Sequence, residues 1–225
     1  MTFSLIARCA RTGQFGMVIA SSSPAVAARC AHVRAGVGVV ASQNITDPGL
    51  GPELLDQLAQ GKSASAALAA VTTGRPYIAY RQLLVVGKTG AGAIHSGVQV
   101  LGSWGEALGQ ECAAGGNLLA SSGVPKAMIA GFEGATGHLG DRLLAALQAG
   151  LAAGGEAGPV HSAGLKIADT LDWPLVDLRI DWSEDPIAAL ATAWGVYRPQ
   201  MAAYVQRALN PTIAPSYGVP GDPIV

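Results

Sequence analysis

The sequence is poor in charge, in aromatic side chains and in long hydrophobic runs. Only 13% of the residues are charged and 5% are aromatic, and the formal net charge is -1. Without a basic stripe, a nucleic acid or an anionic membrane is a poor partner. The longest apolar runs, such as residues 83–86 and 143–147, are far too short to cross a bilayer. We therefore expect no nucleic acid and no membrane, and a cytoplasmic location, because the first residues lack the pattern of a signal peptide.

Metal-ligand patterns are also missing. The three cysteines, Cys9, Cys30 and Cys112, are odd in number and share no metal-type spacing. The four histidines and the carboxylates form no His-Glu-x-x-His or comparable motif. We therefore expect buried reduced thiols, no metal site and no cofactor.

What remains is a chain that can build a large core. Half of its 225 residues are hydrophobic, which is typical of an ordered globular protein. We find no internal repeat and no linker-like change in composition. The sequence predicts one domain over residues 1–225, with an extended Pro-rich tail from about residue 210.

The order of predicted elements indicates the fold class. Strands come in hairpins and helices in pairs, which does not fit the strict alternation of a parallel sheet. We expect an α+β fold, a four-layer αββα sandwich of two mostly antiparallel sheets flanked by helices. Residues 25–32 are expected to form a link, 103–111 irregular chain and 115–117 a tight turn. The predicted strands are 2–8, 15–22, 35–43, 81–87, 91–97, 161–168 and 175–181, and the predicted helices are 51–60, 63–71, 125–133, 138–153 and 185–209.

The first strand carries the main functional hypothesis. Its alternation places Thr2 and Ser4 on one face and residues such as Phe3 and Leu5 on the other. If Met1 were removed, Thr2 would hold a β-hydroxyl and a free α-amine, which can act together as nucleophile and base. A terminal amine has a pKa of about 7.7–8.0, so part of it is neutral near neutral pH. The alternative is an ordinary Thr, which favours strands.

Other polar residues are candidates for the same site. Each also has a structural alternative, because hydroxyl and amide side chains at strand ends often close turns. Ser21 could orient the nucleophile, and Asn117 with the backbone of Gly116 could form an oxyanion hole. The predicted catalytic residues are Thr2, Ser21 and Asn117, and the predicted substrate-binding residues are Ser4, Ser22, Ser23, His32, Gln43, Asn44, Gly116, His161 and Ser162.

Several stretches resemble a bacterial family known as domain of unknown function 1028. They are Thr-Phe-Ser-Leu-Ile-Ala-Arg at 2–8, Ala-Gly-Val-Gly-Val-Val-Ala-Ser-Gln at 35–43, Gly-Asn-Leu-Leu at 116–119, Arg-Leu-Leu-Ala-Ala-Leu-Gln-Ala-Gly at 142–150, Asp-Leu-Arg-Ile-Asp at 177–181 and the tail to Asp222. That family is grouped with the N-terminal nucleophile hydrolases. The resemblance implies an αββα fold and, at its first strand, an N-terminal Thr nucleophile.

Three hypotheses follow. The first is an amidohydrolase that cleaves an amide, imide or lactam C–N bond of a small metabolite through Thr2. The second is a hydrolase that keeps Met1 and uses Cys30 or a serine of residues 21–23. The third is a non-catalytic ligand-binding or assembly protein. Under all three we expect a homodimer or a larger homo-oligomer.

Overall fold

Two antiparallel sheets form the centre of the protein in a computed structural model that describes residues 1–221. Residues 222–225, the end of the predicted domain and tail, lie outside the described residues. The six-stranded sheet has the order β10-β9-β2-β1-β8-β7, and the four-stranded sheet has the order β3-β4-β5-β6. The strands are β1 Thr2–Arg8, β2 Phe15–Ser21, β3 Ala31–Arg34, β4 Gly38–Asn44, β5 Arg81–Gly87, β6 Gly92–Ser96, β7 Gly105–Gly109, β8 Cys112–Asn117, β9 Ser162–Ala168 and β10 Val176–Ile180.

Most of the helices cover the outer faces of the two sheets. The helices are α1 Val26–Cys30, α2 Leu50–Ala59, α3 Ala64–Thr72, α4 Val124–Gly134, α5 Leu139–Ala152, α6 Pro186–Tyr197 and α7 Met201–Leu209. Apolar side chains of α2 and α3 pack on the four-stranded sheet. Those of α4, α5 and α6 pack on the six-stranded sheet. The predicted four-layer αββα sandwich is confirmed.

The first strand alternates as predicted. Phe3, Leu5 and Ala7 are buried against the helix layer, whereas Ile6 is buried between the two sheets. β1 lies in the middle of its sheet, paired with β2 on one side and with β8 on the other. Because every residue of β1 is paired, the direction of the Thr2 side chain is fixed by the sheet.

Four local predictions are wrong. Residues 25–32 form α1 and the start of β3, because Val26 and Cys30 fill space between the sheets. Residues 105–109 form an edge strand, β7, whose short glycine-bounded sequence has a weak strand signal. Residues 115–117 belong to β8 rather than to a turn. The predicted helix 185–209 is interrupted by a 3₁₀ turn at Arg198–Gln200, where Pro199 has no N–H to donate.

Candidate functional site

The start of β1 brings two hydroxyl groups onto one carbonyl. The hydroxyls of Thr2 and Ser21 both donate hydrogen bonds to the carbonyl oxygen of Met1. The two hydroxyl oxygens are 3.5 Å apart. Both side chains are buried, with Thr2 5% exposed and Ser21 fully enclosed. A nucleophile candidate and a hydrogen-bond donor therefore lie against the peptide bond whose cleavage would free the α-amine of Thr2.

The end of β2 holds this geometry. The N–H of Ser23 donates to Ser21 Oγ at 3.0 Å. The hydroxyl of Ser162 donates to the Ser23 carbonyl at 2.6 Å and accepts from the N–H of Val26 at 3.2 Å. Ser162 therefore ties the chain after β2 to β9. Its hydroxyl is engaged by the backbone, so the structure favours the structural alternative for this residue.

A carboxylate that the sequence pattern does not predict lies beside the cluster of Thr2, Ser21, Ser23 and Ser162. Both oxygens of Glu156 accept from the N–H of Ser22 at 3.1 Å. The side chain is 5% exposed. Burial raises the pKa of Glu156 to about 7, while the α-amine of Met1, hydrogen bonds from Ser22 and the charge of His161 lower it. The only sequence signal is a lone acidic residue after Gly154-Gly155, which is too weak to indicate a site.

His161 lies next to the same cluster. Its backbone N–H donates to the Ser21 carbonyl at 2.9 Å. Its ring stacks on Trp182, with centroids 4.4 Å apart and an angle of 14° between the planes. Its Nδ1 is 3.4 Å from the Ser183 carbonyl. The ring is half-buried and lies close to Glu156.

A second group of polar side chains lies deeper, between the sheets. Ser4 Oγ donates to Gln43 Oε1 at 2.7 Å, and Gln43 Nε2 donates to Gln82 Oε1 at 2.8 Å. Asn117 Nδ2 is 3.4 Å from the same Gln82 oxygen. Gln82 Nε2 donates to Ser96 Oγ at 3.1 Å. We call Ser4, Gln43, Gln82, Asn117 and Ser96 the inter-sheet polar network.

Gln82 is the residue of this network that the sequence analysis missed. It lies in β5 among leucines and valines, and a polar residue in such a run was the available signal. Gln43 lies one residue before the end of β4, and β4 belongs to the sheet that faces the one containing β2. The two sheets therefore contribute to one polar network from opposite sides.

Gly116 does not form a loop. It lies opposite Phe3 on β1 and Gly105 on β7, inside an interior strand. An added Cβ would come within 3.1 Å of the Thr2 carbonyl oxygen and of Leu119 Cδ1. The glycine therefore permits close packing, and its backbone is committed to the sheet. The predicted contribution of Gly116 to an oxyanion hole is not supported by this position.

Two predicted residues, Asn44 and His32, belong neither to the cluster at Thr2 nor to the inter-sheet polar network. Asn44 donates to the Tyr80 carbonyl at 2.6 Å and accepts from the N–H of Leu101 at 3.2 Å, so it joins loops. His32 lies on the edge strand β3, and its Nε2 is 3.3 Å from the Arg29 carbonyl. Burial lowers the pKa of His32. Neither makes a hydrogen bond to Thr2 or Ser21 that the structure records.

Cys30 is a poor nucleophile in this structure. Its side chain is buried, and its sulfur lies 3.5 Å from Thr46 Oγ1. Burial raises the pKa of the Cys30 thiol, which disfavours the reactive thiolate. All three cysteines are free and buried, as the sequence predicts. The hypothesis that uses Cys30 is therefore weakened.

A cavity of about 220 Å³ adjoins the cluster, between the chain at residues 154–160 and the start of α6. Glu156, Glu184 and Asp185 line it. The Met1 side chain lies beside it, with Cε 3.5 Å from where a Cβ on Gly158 would be. Loss of Met1 would therefore open space next to Gly158, a residue of the cavity wall.

Within residues 1–221, no group of three or more His, Cys, Asp or Glu side chains could hold a metal ion. In that same part of the chain, no helix has the length and apolar character needed to cross a membrane.

The fold and the site define an αββα sandwich protein with a buried polar cluster at the start of its first strand. Known sequences place it more narrowly. The model of a family of unknown function, DUF1028, matches residues 2–190. The chain belongs to this family, which confirms the resemblance, although the match ends before the tail.

One solved structure agrees with the family assignment, and two others are more distant. A Silicibacter pomeroyi protein of the same family is 30% identical, with a TM-score of 0.81 over 87% of this chain and 88% of that one. Anbu, an ancestral beta-subunit, from Yersinia bercovieri is 11% identical, with a TM-score of 0.39 over 91% of this chain and 97% of that one. Anbu from Hyphomicrobium sp. strain MC1 is also 11% identical, with a TM-score of 0.39 over 96% and 100%. The similarity to Anbu, with TM-scores below 0.5, says nothing about the site. No curated protein matches the chain.

Proposed function

We propose that the protein is an amidohydrolase that cleaves an amide, imide or lactam C–N bond of a small metabolite through an N-terminal Thr2. The observation that carries the proposal is the contact of the Thr2 and Ser21 hydroxyls with the Met1 carbonyl. Removal of Met1 would leave the hydroxyl and the new α-amine on one residue, at the buried end of a central strand. Such a pair can serve as nucleophile and base.

The reaction would proceed in two steps. The neutral α-amine takes the proton of Thr2 Oγ1 as this oxygen bonds to the substrate carbonyl carbon. The C–N bond then breaks, and the leaving nitrogen takes the proton from the ammonium. Water, deprotonated by the same amine, hydrolyses the resulting ester and restores Thr2.

The Met1 carbonyl indicates how a substrate carbonyl could be held. Ser21 Oγ donates to that oxygen, and it could donate to the oxyanion of a substrate placed there. Asn117 lies opposite Thr2 on β8, and the 3.4 Å contact of its Nδ2 with Gln82 is long. This amide could turn toward the same oxyanion. The size of the adjoining cavity favours a small substrate.

The test needs the full chain with Thr2 as its first residue. A cleavable tag fused directly before Thr2 supplies it, and intact mass spectrometry verifies the start. The protein is then assayed against small amides, imides and lactams by mass spectrometry of the products. We expect turnover by this form, and a loss of about 10³-fold or more in kcat for Thr2→Ala.

Three controls accompany this test. Thr2→Ser keeps a hydroxyl and should retain measurable turnover. Thr192→Ala, on the exposed surface of α6, should not change turnover. The chain that keeps Met1 should be inactive, because the nitrogen of Thr2 is then part of a peptide bond. Full activity with Met1 in place would contradict the Thr2 mechanism and favour a different nucleophile. Absence of turnover with undiminished ligand binding in Thr2→Ala would favour the non-catalytic hypothesis.

A further inference from the structure

Glu156 lies beside Ser21, the residue whose hydroxyl binds the Met1 carbonyl. Its carboxylate accepts from the N–H of Ser22, and the preceding residue, Ser21, donates to the Met1 carbonyl. Its backbone forms a bridge with Leu119, two residues after the end of β8. The carboxylate is thus anchored to two strands that flank β1. It cannot move away without breaking these contacts.

A buried carboxylate with a single N–H partner is expensive unless a positive charge lies nearby. The groups that act on Glu156 are the α-amine of Met1 and His161, both of which favour its ionised form. Glu184 and Asp185 line the same cavity and are exposed. The N-terminal amine and His161 are thus the cationic groups that act on this carboxylate, whereas Glu184 and Asp185 of the same cavity are acidic.

We propose that Glu156 is a positioning residue for the α-amine of Thr2, once Met1 is removed. This inference rests on the proposed function for its role in turnover. Removal of Met1 moves the amine by one residue, to the nitrogen of Thr2. The Met1 side chain lies beside Gly158, two residues after Glu156, so its loss opens space in the segment that carries the carboxylate. The carboxylate faces the new amine across that space and keeps it oriented toward Thr2 Oγ1.

The carboxylate has a defined electrostatic effect. When the amine accepts the hydroxyl proton it becomes an ammonium ion, and a neighbouring negative charge stabilises that ion. A carboxylate has the same relation to the histidine of a serine protease triad, where it orients the base and stabilises its charged form without taking its proton. Glu156 therefore transfers no proton in this step. It raises the affinity of the amine for one.

The test compares Glu156→Gln with the wild type in the full chain that starts at Thr2. Gln can still accept from the N–H of Ser22, so the fold should survive, which circular dichroism and thermal unfolding check. The pKa of the Thr2 amine is measured from the pH dependence of its acetylation by acetic anhydride, read by peptide mass spectrometry. Removing the charge should lower this pKa by about one unit. Glu156→Asp, which keeps the charge, should restore most of the shift.

Glu184→Gln is the matched charge control. It removes one negative charge from the wall of the same cavity but has no contact with Ser22. It should shift the pKa of the amine by less than a third of the effect of Glu156→Gln. An equal shift in both variants would overturn the proposal, because any nearby charge would then serve. No shift in either would overturn it as well.

Where a substrate is found, the pH profile provides a second readout. Glu156→Gln should lower kcat by about 10²-fold and move the acid limb of kcat/KM by about one unit to lower pH. A fall in rate with an unmoved limb would indicate a merely structural role and overturn the proposal. If no amide is cleaved but the pKa of the amine falls as expected, the inference stands and the proposed function fails. If turnover is found but neither the acid limb of kcat/KM nor the pKa of the amine moves, the proposed function stands and the inference about Glu156 fails.

Discussion

The two ends of the space between the sheets are built from the same strands but filled in different ways. On β5, Gln82 points into this space at the Thr2 end, and Leu84, two residues on, points into it toward the middle. On β1, Ser4 and Ile6 show the same change. The apolar part, which we call the inter-sheet core, is a cluster of Ile6, Phe15, Met17, Ile19, Val26, Ala27, Cys30, Ala31, Val39, Ala41, Leu84, Val86 and Ala113.

This difference separates the residues that hold the sheets together from the residues that fix side-chain directions at one end. Apolar packing has no direction and needs only volume and shape. The inter-sheet polar network requires that each donor meets an acceptor, because an unpaired buried polar group is costly. The network therefore contributes less to stability than a similar volume of leucine. It fixes the directions of side chains beside Thr2, which a candidate site needs.

The largest effect on stability is expected from the inter-sheet core. Leu84→Ala removes a fully buried side chain and leaves a cavity between two sheets that cannot easily close. We expect the free energy of unfolding to fall by about 2–5 kcal/mol, measured by urea denaturation. Leu108→Ala, on edge strand β7 where the residue is 58% exposed, should cost less than about 0.5 kcal/mol. If both cost the same, the gap between the sheets would be loosely packed.

The sequence predicted the layers well because they depend on periodicity. The alternation of β1 and the helical spacing of Leu143, Leu144 and Leu147 in α5 specify which faces are buried. The helix starts depend on similarly local chemistry, since Ser63, His138 and Asp185 each accept a backbone N–H of the first turn. The sheet assignment of β4 was not readable, because local pattern does not say which strands pair across the chain.

The sequence predicted candidate-site residues on β1 and at the end of β2, and also Gln43, Asn117 and His161. Thr2, Ser21 and Ser4 came from the alternation of one strand and from a serine patch before a proline. Gln82 and Glu156 were missed, because each is a single polar residue with no motif, brought to the site by pairing between distant segments. Long-range pairing determines such contacts, and one sequence does not display it.

A smaller effect should appear when pH is varied around the first strand. Burial raises the pKa of Glu156 from 4.5 to about 7 in the folded chain that carries Met1. The folded state then binds more protons than the unfolded state between these values, so stability falls as pH rises through this window and levels off above it. The total change is at most about 3 kcal/mol. Urea denaturation at pH 5 and pH 8 measures it.

Glu156→Gln is the variant that isolates this dependence. It has no proton to lose, so its stability should change less between pH 5 and pH 8 than that of the wild type. Glu106→Gln, at an exposed carboxylate on β7, is the control and should keep the wild-type slope. An unchanged slope in Glu156→Gln would mean that the buried carboxylate does not retain its proton in this range.

The smallest effect is expected from exchanging the character of the two ends. Gln82→Leu extends the inter-sheet core by one residue but leaves Gln43 Nε2 and Asn117 Nδ2 without their acceptor, while Ser96 Oγ still donates to Glu106. The gain in apolar burial should offset part of the loss, so we expect a net cost of about 1–2 kcal/mol.

Whether this cost arises from unpaired groups can be decided with a double-mutant cycle. Gln43→Leu alone leaves the Ser4 hydroxyl unpaired and leaves the Gln82 side-chain oxygen with only its long contact to Asn117. In Gln43→Leu with Gln82→Leu, the bond between the two amides is removed together with both of its partners. The double variant should therefore be more stable than the sum of the single changes predicts, by about 1 kcal/mol. Simple additivity would mean that the two amides are not coupled, and the distinction between the two ends would then rest on residue composition alone.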